Sequence, residues 1–113
     1  MNNYKSGLFA EFIARMYLRL CGFHILESRY VTGRYTGRAE IDIIARRGNL
    51  IVFAEVKSRK DAATGLDAVT FSQSARLRRA AETYIARRRW TGDARFDIIV
   101  VSGFRIKYFK NAV

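Results

Sequence analysis

The chain contains no proline, one cysteine and one histidine in 113 residues. No uninterrupted apolar run approaches the roughly 20 residues of a membrane-spanning helix, which argues against a membrane protein. The lone Cys21 cannot close an internal disulfide, and a single free thiol suits a reducing compartment, so a cytoplasmic location is expected. Met1 to Ser6 leads into no apolar signal-peptide segment. The missing proline, together with 50% apolar and 13% aromatic residues, speaks against a disordered or linker protein, which lacks the apolar surface to offset ordering entropy. The length suits one compact domain spanning 1–113 and leaves no room for two.

Acids are scarce as well: 10 Asp+Glu against 21 Lys+Arg give a formal charge of +11. On so small a domain that excess attracts polyanions, with nucleic acid first, an acidic membrane surface second and an acidic protein third. The distribution favours nucleic acid. Arg76, Arg78, Arg79, Arg87, Arg88 and Arg89 share one stretch that holds a single acid, Glu82.

Periodicity predicts a helix over Gly7 to Leu20, with Leu8, Phe12, Ile13, Met16, Tyr17 and Leu20 as its apolar stripe and Gly22 as its cap. A strand is expected over Phe23 to Tyr30, then a polar loop through Thr32, Gly33, Thr36 and Gly37. Ile41 to Ala45 and Leu50 to Val56 read as a hairpin turned by Gly48-Asn49. A polar loop with Lys60, Asp61 and Gly65 leads to a second helix from about Phe71 or Ser72 to Arg89, whose buried stripe is Leu77, Ala80, Ala81, Tyr84 and Ile85. Winding it at about 100° per residue puts Arg76, Arg79 and Arg87 on one flank and Arg78 with Arg89 on the other. Phe96 to Val101 is a buried strand, and Ile106 to Phe109 an edge strand. The order implies an α/β fold, with a βαβ crossover in a mixed sheet flanked by helices.

Three acids sit where strands rarely carry them. Glu40 and Asp42 alternate with Ile41, Ile43 and Ile44, and Glu55 interrupts a run from Ile51 to Val56. Side chains alternate along strands, so Glu40 and Asp42 share one face and Glu55 and Lys57 another. A two-residue Gly48-Asn49 loop sets Arg47 against Leu50, and counting back sets Asp42 against Glu55 and Glu40 against Lys57. Opposed carboxylates about 5 Å apart repel. Lys57 could sit between them, and a divalent cation such as Mg²⁺ fits better, since it takes one or two carboxylates plus substrate phosphate. The plainer account is a solvated sheet face with Lys57 as a cross-strand partner. Against it stand Phe53, on the same side as Glu55, and two helices that should cover the sheet.

Asp42, twelve intervening residues, then Glu55-Val56-Lys57 resembles the signature of the PD-(D/E)xK, restriction-endonuclease-like nuclease superfamily, and the element order resembles its αβββαβ core. A closer resemblance is to the YraN family of small bacterial proteins of uncharacterised role, placed in that superfamily. It is carried by Gly7, Glu11, Ala14, Tyr17-Leu18, Gly22, Glu40 to Ala45, Val52 to Arg59, Ala80-Ala81, Tyr84-Ile85, Arg95-Phe96-Asp97 and Asn111-Ala112. This chain departs from the usual Gly-Glu at Ala39-Glu40 and Ala10-Glu11, and both departures leave the acids in place.

The resemblance implies that Asp42 and Glu55 bind Mg²⁺ or Mn²⁺ and that Lys57 orients the attacking water. By likeness to Holliday-junction resolvases, Glu11 would complete the metal site; read plainly, it is a surface glutamate off the apolar stripe. Gln73 matches a polar site position of relatives and reads equally well as an exposed glutamine. His24, between Phe23 and Ile25, is expected to be a strand residue rather than a base, Cys21 to pack in the core, and Asp97 to make a structural salt bridge.

The expectation is a metal-dependent endonuclease-like protein hydrolysing DNA, with branched or nicked DNA as candidate substrate. Asp42, Glu55 and Lys57 are its centre, Glu11 and Glu40 support them, and Arg59, Gln73, Arg76, Arg78, Arg79 and Arg87 lie along the nucleic acid. A DNA-binding module without activity is the alternative, and a basic protein docking on an acidic partner the third. Junction-cutting relatives suggest a homodimer, though no segment marks its interface.

Overall fold

The computed structural model describes residues 3–33, 39–59 and 71–112. Seven elements follow in order: α1 (Asn3–Leu20), β1 (His24–Thr32), β2 (Ala39–Arg47), β3 (Leu50–Ser58), α2 (Phe71–Arg88), β4 (Asp93–Ser102) and β5 (Arg105–Phe109). The strands form one sheet in the order β1-β2-β3-β4-β5. Every neighbouring pair is antiparallel except β3 and β4, which run parallel and are joined through α2. The expected α/β order and mixed sheet with a βαβ crossover are present. The expected loop residues Thr36, Gly37, Lys60, Asp61 and Gly65 lie outside the described residues.

Each sheet face buries a separate core. Ala10, Ala14 and Leu18 of α1 pack with Ile43, Ala45, Val52, Ala54, Ile99 and Val101. Leu77, Ala80, Ala81 and Tyr84 of α2 pack with Ile44, Ile51 and Phe53, joined by Ala39 and Ile41. The α2 stripe is the one expected.

The α1 stripe is so only in part: of its expected members Ile13 packs on the first core and Tyr17 is half-buried. Leu8, Phe12, Met16 and Leu20 are exposed, and the helix turns its small residues Ala10 and Ala14 to the sheet, with Leu18 and the buried Glu11 beside them. Small side chains let the helix approach the sheet closely, and that contact overrides the periodicity of the larger ones. Glu11 is therefore a buried carboxylate rather than the surface residue its place off the large apolar stripe suggests.

Gly22 does cap α1. At φ +90° it lets the Phe23 N–H reach the Leu18 carbonyl (2.9 Å) and its own N–H reach Arg19 (3.0 Å), the paired bonds of a Schellman motif. α2 ends the same way without a glycine: Arg89 takes φ 50°, Trp90 N–H bonds Ile85 O at 3.0 Å and Arg89 N–H bonds Ala86 O at 3.2 Å. Arg89 thus lies just past the helix rather than in it.

The hairpin turn is the two-residue one. Arg47 pairs with Leu50, and Gly48 takes φ 59°. β4 enters beside this turn, where Asp93 N–H bonds the Asn49 carbonyl at 2.7 Å. The approach is so close that a Cβ on Gly92 would lie 2.6 Å from the Asn49 carbonyl oxygen.

Candidate functional site

The β2–β3 ladder runs from Arg47–Leu50 to Ile43–Ala54 and stops. The direct oppositions of Asp42 with Glu55 and Glu40 with Lys57, expected from the register, do not form. Beyond Ile43, β2 stays paired with β1 as far as Thr32–Ala39, while β3 stays paired with β4 as far as Ser58–Val101. The sheet forks between β2 and β3, and the acids stand at the fork.

Two local features open it. Asp42 Oδ2 accepts the Val56 N–H at 2.8 Å, so a side chain takes the donor that a continuing antiparallel ladder would offer to the β2 backbone. Alternation also slips here: Ile41 packs on the α2 side, whereas Ile43, two residues on, packs on the α1 side. Such a slip is how a strand re-aims a side chain next to a site.

At the fork, Asp42 and Glu55 are half-buried and Glu40 is exposed. Burial, and next the negative charge of Glu55, hold the Asp42 carboxyl up at about 7, with smaller pushes from Glu11 and Glu40 and the Val56 N–H acting against them. Glu55 is also raised, first by burial and then by Glu40 and Glu11, while Lys57 opposes the rise. The Lys57 Nζ lies 3.2 Å from Glu55 Oε1. Asp42 and Glu55 therefore retain protons above their ordinary values, first because burial disfavours their charged forms and then because neighbouring carboxylates repel them.

Glu11 approaches from α1 and is held by Arg29 of β1 in a two-pronged ion pair, Nε to Oε1 at 2.9 Å and a terminal nitrogen to Oε2 at 3.0 Å. Arg29 adopts φ 53°, which costs a non-glycine residue on the order of 1–2 kcal/mol. β1 also shifts register between Ile25 and Glu27. Sequence reasoning did not find Arg29, because a positive φ leaves no mark on composition. The signal for Glu11 was its helical phase, three residues before Ala14 and seven before Leu18.

The sequence-derived metal ligands are thus only partly assembled. Asp42 and Glu55 come together, whereas the oxygens of Glu11 are engaged by Arg29. Among the described residues, no group of three or more His, Cys, Asp or Glu side chains gathers to hold a metal ion. The Asp42–Glu55 pair still has the chemistry Mg²⁺ or Mn²⁺ needs: two hard oxygen donors whose mutual repulsion a cation would relieve.

Of the expected nucleic-acid residues, Arg76, Arg79 and Arg87 are exposed on α2, and Arg87 reaches the Tyr30 hydroxyl at 3.4 Å. Arg78 stacks over the Phe96 ring, 4.9 Å from its centre. Arg59 is half-buried beside Lys57, its N–H on the Val101 carbonyl and its guanidinium on the Ser58 carbonyl. Gln73 falls in the first turn of α2, where side chains are not described.

Asp97 is fully buried and receives two Arg95 nitrogens, the Tyr108 hydroxyl and the Asn111 N–H, which fastens β5 and the following turn. It is the structural salt bridge expected. His24 is an exposed strand residue and Cys21 is half-buried against the α1 core.

The family profile described as "Uncharacterised protein family UPF0102" matches residues 10–101. The chain belongs to this family, the YraN family. A UPF0102 protein of Agrobacterium fabrum is 42% identical over 99 residues, covering 86% of this chain and 78% of that protein. One from Paramagnetospirillum magneticum is 38% identical over 104 residues, covering 90% and 81%. One from Rhizobium etli is 37% identical over 111 residues, covering 96% and 88%. The matched stretch includes the fork, its acids, Lys57 and all of α2. No described helix is long and apolar enough to cross a membrane.

Proposed function

We propose that this UPF0102 protein is a metal-dependent, nuclease-like phosphodiesterase acting on DNA, with branched or nicked DNA as the candidate substrate. The reading rests on the forked sheet, where Asp42 and Glu55 share a partly buried site and burial raises both carboxyl groups from their ordinary values. A pure binder gains nothing from acids that repel phosphate. Mg²⁺ or Mn²⁺ on Asp42 and Glu55 would polarise a phosphoryl oxygen and acidify a bound water. Lys57, whose Nζ lies 3.2 Å from Glu55 Oε1, would orient the attacking water and offset charge on the phosphoryl group. Glu40 deepens the negative field, and Arg29 fixes Glu11 behind it. Arg76, Arg79 and Arg87 supply the cationic track for the backbone, with Arg59 beside the centre.

The test is incubation with linear, nicked and four-way-junction DNA plus Mg²⁺ or Mn²⁺, alongside Glu55→Gln and Lys57→Ala. Metal-dependent cleavage lost in both variants is expected. If no substrate is cut and neither variant changes binding, the protein is a DNA-binding module that keeps a nuclease-like fold. The engagement of Glu11 by Arg29 is the observation that favours this second reading, because it removes a third metal ligand.

A further inference from the structure

The outer face of α1 has no role in the fork. Leu8, Phe12, Met16 and Leu20 recur at every fourth position, opposite the Ala10–Ala14–Leu18 face that meets the sheet. Phe12 is 51% exposed and Leu20 85%, while Leu8, Phe9 and Met16 are 39, 37 and 42% exposed. The patch extends beyond the helix: Phe104, 82% exposed in the β4–β5 turn, packs edge-on against Phe9 with ring centres 5.6 Å apart. Taking about 200 Å² for a fully exposed large side chain, these six leave roughly 670 Å² of apolar surface in water. The largest patch on an ordinary monomer is about 300–600 Å². With a polar rim added, the face approaches the ~800 Å² per partner of a standard stable interface.

We infer that this face is the interface of a homodimer, formed by α1 of one copy against α1 of a second, with Phe104 at its margin. An unbroken ridge at every fourth residue is self-complementary about a two-fold axis, because it packs into the groove beside an equal ridge. Winding the helix puts Arg15 at one edge of the stripe and Arg19 just inside that edge, with Phe9 and Ile13 towards the other edge. A lipid-facing helix sets a cation-rich polar face opposite its apolar one, whereas the opposite face of α1 is packed on the sheet. Pairing also leaves the fork accessible, since Glu11 belongs to the opposite face of α1.

The electrostatics give the association a signature. Two copies of charge +11 repel, so screening should strengthen the dimer. Binding to DNA or to anionic lipid weakens with salt. Sedimentation equilibrium at about 100 µM, in about 0.1 M and about 0.5 M salt, should give a mass near twice 13.0 kDa, with the dimer fraction larger at the higher salt. Phe12→Gln with Leu20→Gln, and separately Phe104→Ser, should shift the mass towards 13.0 kDa with the circular dichroism spectrum unchanged. The substituted side chains face water, so a folded monomer is expected. Overturning results are a wild-type monomer at both salts, or variants that keep the dimer mass. Wild-type protein that is monomeric in solution and pellets with phosphatidylglycerol vesicles would assign the face to lipid instead. The inference does not depend on the nuclease reading and can fail without it.

Discussion

The two ends of the β2–β3 hairpin are built from the same kind of sequence and behave in opposite ways. At the turn end the ladder is closed, β4 docks onto Asn49, and the charged residues are arginines whose guanidinium groups rest on rings: Arg46 over Trp90 at 4.6 Å and Arg47 over Phe23 at 4.5 Å. At the far end the ladder is open, the charges are carboxylates with Lys57 against one of them, and the backbone donor of Val56 is taken by a side chain. Flexible cations at the rim settle onto apolar partners with their heads in water. Short carboxylates cannot reach out in that way, so the fork retains their repulsion, which makes it a site and the turn end a support.

The sharpest way to break the contrast is to neutralise the open end. Asp42→Asn and Glu55→Gln should each lower metal-dependent DNA cleavage by about 10²-fold or more, as expected when a group at the reacting centre is lost. Neither should lower the melting temperature at pH 8, because each removes a mutually repelling charge. A variant that unfolds would show that the carboxylates stabilise the fork.

The closed end should respond in the other sense. Gly92→Ala sets a methyl group against the Asn49 carbonyl oxygen, 2.6 Å from the added carbon, where backbone must move. Overpacking of this kind costs about 1–3 kcal/mol, read as a lower midpoint in urea, while the remaining folded protein should cut at the wild-type rate.

Proton linkage separates the ends a third way. Asp42 sits at about 7 in the fold against an ordinary 3.8, so the folded state binds the extra proton between those values and the wild type loses stability as pH rises from about 4 to 7. The gap in melting temperature between Asp42→Asn and wild type should widen over that interval and level off above it. Mn²⁺ above pH 7 should then raise the wild-type melting temperature and not that of the variant. A flat gap across the interval would mean that Asp42 titrates as an ordinary surface acid.

The hairpin, its two-residue turn, the βαβ order and the α2 stripe were legible because turn chemistry and apolar period are local properties of sequence. The acids were legible because strands rarely carry them. The fork was not: the register counted from Gly48-Asn49 holds to Ile43–Ala54, and nothing in the sequence says that a carboxylate will then replace a ladder partner. The face of α1 was misjudged because pattern weighs side-chain size, whereas burial here followed how closely Ala10 and Ala14 let the helix approach. Arg29 was missed for a related reason, since its role depends on a backbone conformation that its residue type disfavours.

The smallest expected effect lies on the segment that leads from α2 to the closed end. Arg89 holds φ 50° to complete the same pair of capping bonds that Gly22 completes after α1 at φ 90°. Glycine adopts that region without the Cβ clash, though its greater freedom in the unfolded chain takes back part of the gain. Arg89→Gly should therefore raise stability by about 0.5–1 kcal/mol in urea unfolding, with the Arg46–Trp90 contact and DNA cleavage unchanged. A loss of stability would mean that the exposed Arg89 side chain contributes more at the end of α2 than its backbone costs, and that the closed end of the hairpin depends on charge as the open end does.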